Sequence, residues 1–194
     1  MVVSDQLERL DRLPLRTNLR GLSPYGAPQL DVPILLNVNE NTHGVPADVQ
    51  AAITEAVAAA ATGLNRYPDR EFTELREALA EYLGHELSPD NIWAANGSNE
   101  VLQQILQAFG GPGRKALGFP PTYSMYPLLA SGTDTEYVRG VRADDYGLDA
   151  ESAAAQVRET GANIGFLCSP NNPTRTRVGL DLVGAVYEAG RGGP

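Results

Sequence analysis

The chain has 194 residues, 42% hydrophobic and 20% charged, a balance that predicts a globular protein of one or at most two domains. Its formal net charge is −9 and it has no Lys/Arg-rich run, so we expect neither nucleic acid nor an anionic membrane as a partner. No apolar segment approaches the roughly 20 residues that cross a bilayer, and the N-terminus lacks a signal-peptide hydrophobic region. We therefore expect a cytoplasmic protein.

Three scarce residue types limit the possible chemistry. Cys168 is the only cysteine, so no disulfide can form within the chain, which suits the reducing cytoplasm. Cys168, His43 and His85 lie far apart without ligand-type spacing, and we expect no metal site. Lys115 is the only lysine, so any reaction that needs a lysine amine has one candidate here.

The first third of the chain predicts an arm followed by two helices. Residues 1–34 are interrupted by prolines and predict an extended arm. Apolar side chains at every fourth position predict a helix over residues 46–61, with Val49, Ile53 and Val57 on one face. A second helix is predicted from about residue 72 to residue 82, after a proline break and a cap at Asp69.

The rest of the chain alternates between predicted strands and helices. Strands are predicted at 92–95, 116–119, 136–138 and 164–168, and helices at about 101–109, 123–130, 149–159 and 182–189. This alternation is typical of α/β folds, with a mixed, mostly parallel sheet covered by helices on both faces. The sequence stops directly after a helix, so we expect an incomplete domain over residues 35–194 that follows the arm at 1–34.

The first candidate site is the sequence ANGSNE at residues 95–100, where a predicted strand meets a helix. Gly97 lets the backbone approach a ligand closely, and the helix directs free N–H groups and its positive dipole end toward that point. Ser98 adds a hydroxyl, so the segment suits a phosphate. The alternative is that Ser98 only caps the helix and Gly97 only forms the turn.

Two further candidate sites follow later strands. In PPTYSMY, residues 120–126, Tyr123 lies after a strand end, where ligands of open α/β sheets bind, and its ring could stack on a flat cofactor. Core packing of this ring is the alternative. In SPNNPT, residues 169–174, two prolines stiffen a loop whose amides could bind a phenolic or carboxylate oxygen, although it could also be a turn without function.

Together these motifs resemble those of fold-type-I aminotransferases, and most closely the histidinol-phosphate aminotransferases. That family also has segments similar to LNVNEN at residues 36–41 and NRYPD at residues 65–69. LSPYGAPQ at residues 22–29 is similar to its substrate-facing arm. The resemblance implies the large domain of a fold-type-I pyridoxal-phosphate-dependent transferase, represented by its N-terminal half.

The resemblance also implies roles for particular residues. The cofactor is pyridoxal 5′-phosphate, whose phosphate would be bound by Gly97, Ser98 and Asn99. Tyr123 would stack on the pyridine ring, and Asn172 would hydrogen-bond its phenolic oxygen. Tyr67 would reach the cofactor phosphate of the partner subunit, which implies a homodimer. Tyr25 and Asn39 would lie near the amino-acid substrate.

The implied reaction transfers an amino group between glutamate and imidazole-acetol phosphate, giving 2-oxoglutarate and histidinol phosphate, in histidine biosynthesis. The alternatives are an aromatic amino acid aminotransferase of the same family and a non-catalytic remnant that associates with another chain. The family's Schiff-base lysine has no counterpart here, because Lys115 lies in no similar motif. No catalytic residue is therefore assigned, and we expect the chain alone to be inactive.

Two positions depart from the family pattern. Thr42 stands where the family has a proline after its NEN segment, and Arg175 stands where glycine normally follows NNPT. A glycine at such a position often serves a conformation or a close approach that a side chain would disturb. Of the two departures, Arg175 is therefore the one expected to affect the conformation of its loop.

Overall fold

The computed structural model describes residues 12–21, 26, 29–35 and 39–191. They divide into two compact units: the larger comprises the described residues up to 21 and from 94 onward, and the smaller comprises the described residues between 26 and 93. The predicted division into an arm at 1–34 and a domain at 35–194 stays a prediction.

The smaller unit contains the two predicted helices. Helix α1 spans Ala47–Ala61 and helix α2 spans Thr73–Leu83. The Asp69 carboxylate accepts hydrogen bonds from the backbone N–H groups of Glu71 and Thr73 ahead of α2, and these bonds lower its pKa. No residue of α1 is buried, so its predicted apolar face is not covered within this structure.

The strand predicted at residues 92–95 is not formed. These residues have no strand partner in the part of the chain that the structure describes, and a strand exists only through hydrogen bonds to a neighbour. A 3₁₀ turn, Pro89–Asn91, precedes them. Trp93 contacts Phe72 edge to face, with ring centroids 4.9 Å apart. The apolar side chain of Trp93 thus takes part in ring packing and not in a strand.

The larger unit has the predicted alternation of strands and helices, with end points shifted by at most three residues. Its elements, in chain order, are α3 Ser98–Phe109, β1 Lys115–Gly118, α4 Met125–Gly132, β2 Glu136–Arg139, α5 Ala150–Thr160, β3 Ile164–Phe166 and α6 Leu180–Gly190. As predicted, Asp149 caps α5: its carboxylate accepts the N–H of Ser152 at 2.9 Å.

The three strands form one parallel sheet in the order β2-β1-β3. Ala116 of β1 lies opposite Tyr137 of β2 on one side and Ile164 of β3 on the other. Because all three strands run in the same direction, the loops after β1 and β3 meet at one edge of the sheet. This edge carries two of the three candidate sites.

Helices cover both faces of this sheet. On one face Ala116 and the β3 side chains pack against α3 and α4, where Leu106 and Ala130 are fully buried. On the other face Leu117 packs against α5 and α6. Neighbouring residues of β1 thus serve opposite layers, as strand geometry requires. The predicted α/β class is confirmed.

Candidate functional site

The turn before α3 has the geometry expected of an anion-binding loop. Gly97 occupies the N-cap position with φ 79° and ψ 167°, a region of backbone conformation that essentially only glycine adopts. Ser98 is exposed and is the first residue of the helix, so the N-cap position, from which a side chain caps a helix, belongs to Gly97. The N–H groups of the first helical turn have no acceptor within the helix. Helix capping therefore does not account for Ser98.

Glu100 stabilises this turn through a hydrogen bond to the residue that precedes Gly97. Its carboxylate accepts a hydrogen bond from the backbone N–H of Asn96 at 2.7 Å, four residues earlier. The side chain thereby fixes the chain on the N-terminal side of Gly97. Sequence reasoning did not single out Glu100, although an acid in the third position of a helix is a recognised signal for such a contact.

Tyr123 connects the second motif to the first. Its hydroxyl donates a hydrogen bond to Asn99 Oδ1 at 3.1 Å, which joins the loop after β1 to the start of α3. Its half-buried ring meets Tyr126 edge to face, with centroids 5.5 Å apart. Core packing and a site role are thus compatible, since one edge of the ring packs while the hydroxyl contacts Asn99.

An aromatic pair supports Tyr123 from the core. The Tyr126 ring stacks on Phe166 of β3, with centroids 4.4 Å apart and planes 5° from parallel. Burial, and then a hydrogen bond with Cys168, raises the pKa of Tyr126 above its ordinary value. Tyr126 therefore packs as a neutral side chain between the rings of Phe166 and Tyr123.

The paired asparagines of the third motif have different environments. Asn171 is buried, with 2% of its surface exposed, and its side chain makes three hydrogen bonds within the protein. Asn172 is exposed beside it. The family resemblance implies a role for Asn172 only, and nothing in the dipeptide itself shows that Asn171 is the amide held inside the protein.

Arg142, which no motif marks, also connects the loops at this edge. Its guanidinium donates to the carbonyl oxygen of Phe119 at 2.6 Å and to that of Tyr146 at 2.9 Å, and reaches Thr176 Oγ1 at 3.5 Å. Burial lowers its pKa. Neutral acceptors thus surround a partly buried cation that spans the loops after β1, β2 and β3.

Arg175 adopts a backbone conformation that favours glycine. Its φ is 61°, in the left-handed region, and its N–H donates to the carbonyl oxygen of Asn171 at 2.7 Å. The N–H of Asn171 in turn donates to the carbonyl oxygen of Thr176 at 2.8 Å. The turn therefore imposes a positive φ at this position, while the Arg175 side chain itself is exposed.

Two of the remaining predicted site residues, Asn39 and Tyr67, belong to the smaller unit. Tyr67 is fully exposed, at 101%, and Asn39 lies in an exposed loop. Tyr25 lies outside the described residues. The roles predicted for these three residues stay predictions.

Lys115 lies at the wrong edge of the sheet to serve this site. It begins β1, whereas Tyr123 follows the opposite end of the same strand. Its ammonium donates to the carbonyl oxygen of Thr160 at 3.3 Å. Among the described residues no group of three or more His, Cys, Asp or Glu side chains could hold a metal ion. None of the described helices is long and apolar enough to cross a membrane.

Comparison with known sequences agrees with this picture. The family of class I and II aminotransferases matches residues 31–186. Histidinol-phosphate aminotransferase of Paenarthrobacter aurescens strain TC1 is 95% identical, over 97% of this chain and 50% of that protein. The enzyme of the same name from Thermobifida fusca strain YX is 57% identical, over 94% of this chain and 50% of that protein. The chain spans about half the length of the curated relatives it matches.

A solved structure extends the likeness to the fold. Histidinol-phosphate aminotransferase from Sinorhizobium meliloti, in complex with pyridoxal-5′-phosphate, matches 75% of this chain and 38% of that chain, with a TM-score of 0.64 and 29% identity. The fold is therefore that of the class of proteins to which pyridoxal-phosphate-dependent aminotransferases belong. More narrowly, the chain belongs to the class I and II aminotransferase family, since the matched residues cover most of its length.

Proposed function

We propose that this chain is the cofactor-binding part of a histidinol-phosphate aminotransferase, which transfers an amino group between glutamate and imidazole-acetol phosphate. The observation that carries the proposal is the 95% identity, over 97% of the chain, to a relative of that name. The names of the relatives favour histidinol phosphate over an aromatic amino acid as the substrate.

The residues before and within α3 fit the phosphate of pyridoxal 5′-phosphate. Gly97 leaves the approach to the helix end open, because even a Cβ built there would meet no atom within 4 Å. The exposed Ser98 hydroxyl and the unpaired N–H groups of the first turn would donate to the phosphate oxygens. Asn99 completes this part of the site and anchors Tyr123.

Tyr123 and Asn172 would hold the ring of the cofactor. The Tyr123 ring would stack on the pyridine, held in its plane by the bond to Asn99 and the contact with Tyr126. The exposed Asn172 amide would donate to the phenolic oxygen. When bound, pyridoxal phosphate supplies the electron sink for amino transfer.

We further propose a homodimer in the cytoplasm. The apolar side chains Val49, Ile53 and Val57 lie along one face of α1 with exposures of 43%, 52% and 62%. Tyr67 is exposed and free to reach a cofactor phosphate in a second subunit, as the resemblance implies. Sedimentation of the purified chain with and without Val57→Asp tests whether this apolar face contributes to association.

Binding of pyridoxamine 5′-phosphate, which needs no lysine, tests the cofactor site. We expect the affinity to fall about tenfold for Ser98→Ala and for Asn172→Ala, because each removes one hydrogen bond to a charged or strongly polar group. Ser152→Ala, on the exposed surface of α5, is the matched control and should bind as the unsubstituted chain does. Unchanged binding by both site variants would argue against this site.

The position of Lys115 predicts that the chain alone forms no imine. With pyridoxal 5′-phosphate we expect no imine absorption band that borohydride fixes at this site, because the only amine side chain lies at the opposite edge of the sheet. A fixed band that disappears in Lys115→Ala would contradict this expectation.

A further inference from the structure

Asn171 is the most deeply buried polar side chain at the site edge. Its Oδ1 accepts from the Thr122 hydroxyl at 2.8 Å. Its Nδ2 donates to the carbonyl oxygen of Pro121 at 2.9 Å and to Thr174 Oγ1 at 2.7 Å. Both amide protons and the amide oxygen are therefore used inside the protein, so this side chain is not available to a ligand.

These bonds join two loops that are far apart in sequence. Thr122 lies 49 residues from Asn171. The first loop follows β1 and the second follows β3, and the two strands are neighbours in the sheet. Tyr123 comes directly after Thr122, and Asn172 comes directly after Asn171. Tyr123 and Asn172 are the two residues that would hold the cofactor ring. The hydrogen bond between their sequence neighbours, Thr122 and Asn171, therefore sets the distance between them.

We propose that Asn171 is a positioning residue that fixes Tyr123 and Asn172 relative to each other. The inference rests on the proposed function for its cofactor, but the coupling of the two loops is a property of the chain itself. Few other side chains could replace Asn171. An aspartate would direct an oxygen at the Pro121 carbonyl, and an alanine would leave Thr122 and Pro121 without their buried partner.

Thr135 offers a matched control at the opposite edge of the sheet. It is 4% exposed, accepts the N–H of Gly111 at 2.8 Å, and lies 2.9 Å from the Thr133 hydroxyl. Because it directly precedes β2, it lies away from the loops that follow the strands. Thr135→Val therefore removes a buried polar network without touching the site.

Amide hydrogen exchange of the purified chain tests the coupling without any ligand. In Asn171→Ala we expect about tenfold faster exchange both in residues 119–126 and in residues 170–177, since the shared bonds are lost from both loops. Thr122→Val should affect the same two segments. Thr135→Val should spare both. Faster exchange confined to residues 170–177, or a rise spread over the whole unit, would overturn the proposal.

Pyridoxamine 5′-phosphate then tests whether the coupling serves the cofactor. We expect Asn171→Ala to weaken its binding about tenfold and to change the absorption of the bound phenol, as Asn172→Ala does, whereas Thr135→Val changes neither. Binding of Asn171→Ala within twofold of the unsubstituted chain would contradict the positioning role. Failure of the unsubstituted chain to bind would count against the proposed function, and the exchange data would still decide the coupling.

Discussion

The hydroxyl of Tyr123 donates a hydrogen bond to Asn99 Oδ1 at 3.1 Å. Through this bond Tyr123, which follows β1 and is predicted to stack on the cofactor ring, directly contacts the first turn of α3, which is predicted to bind the cofactor phosphate. Neither motif indicates this contact by itself, because the two residues are 24 positions apart.

Substitution of Tyr123 by phenylalanine isolates the contribution of that bond. The ring and its contact with Tyr126 remain, but the hydroxyl is lost, so we expect about 1 kcal/mol weaker binding of pyridoxamine 5′-phosphate, or about fivefold. Tyr187→Phe, on the exposed surface of α6, is the control. Equal affinities for both variants, measured by fluorescence titration, would show that the hydroxyl does not orient the ring.

Gly97 and Gly184 should respond in opposite directions to alanine. Gly97→Ala forces a side chain into a backbone region that is nearly exclusive to glycine, and we expect the free energy of unfolding to fall by about 1–3 kcal/mol. Gly184 lies within α6 with open space around it, so Gly184→Ala should raise that free energy by about 0.5–1 kcal/mol. Urea denaturation of both variants checks the signs.

Arg175→Gly should stabilise the protein. The position has φ 61°, and glycine removes the cost of holding a side chain there, so we expect an increase of about 1 kcal/mol in the free energy of unfolding. Arg177 has no positive φ. Arg177→Gly should instead lower stability by about 0.5 kcal/mol, because glycine adds freedom to the unfolded chain. The same sign for both variants would contradict the explanation.

Stability should fall at high pH because of Tyr126. Burial raises its pKa in the folded protein, so the folded state resists the ionised form that the unfolded chain adopts above about pH 10. The stabilisation is complete below that pH and is lost as the pH rises toward the raised folded pKa. We expect Tyr126→Phe to flatten this decline between pH 9 and 11. A decline of equal steepness would assign it to other groups, among them Tyr137, whose pKa burial also raises.

Local sequence patterns predicted most of the helices well. Helices α1, α2 and α5 begin and end within one or two residues of their predictions, because apolar spacing and caps such as Asp149 act locally. The strand prediction for residues 92–95 was wrong because an apolar run shows only that a segment can pair with a strand. No strand that pairs with it is present among the described residues.

The sequence by itself determined the class of fold, the family and the three loops proposed to bind the cofactor, since these follow from short-range spacing and motif identity. Only the tertiary structure decided which of the two adjacent asparagines is buried. Asn171 is buried against Thr122 and Pro121, while Asn172 is exposed. Burial depends on neighbours about 50 residues away, which no local pattern encodes. The same is true of Arg142, whose acceptors come from three separate loops.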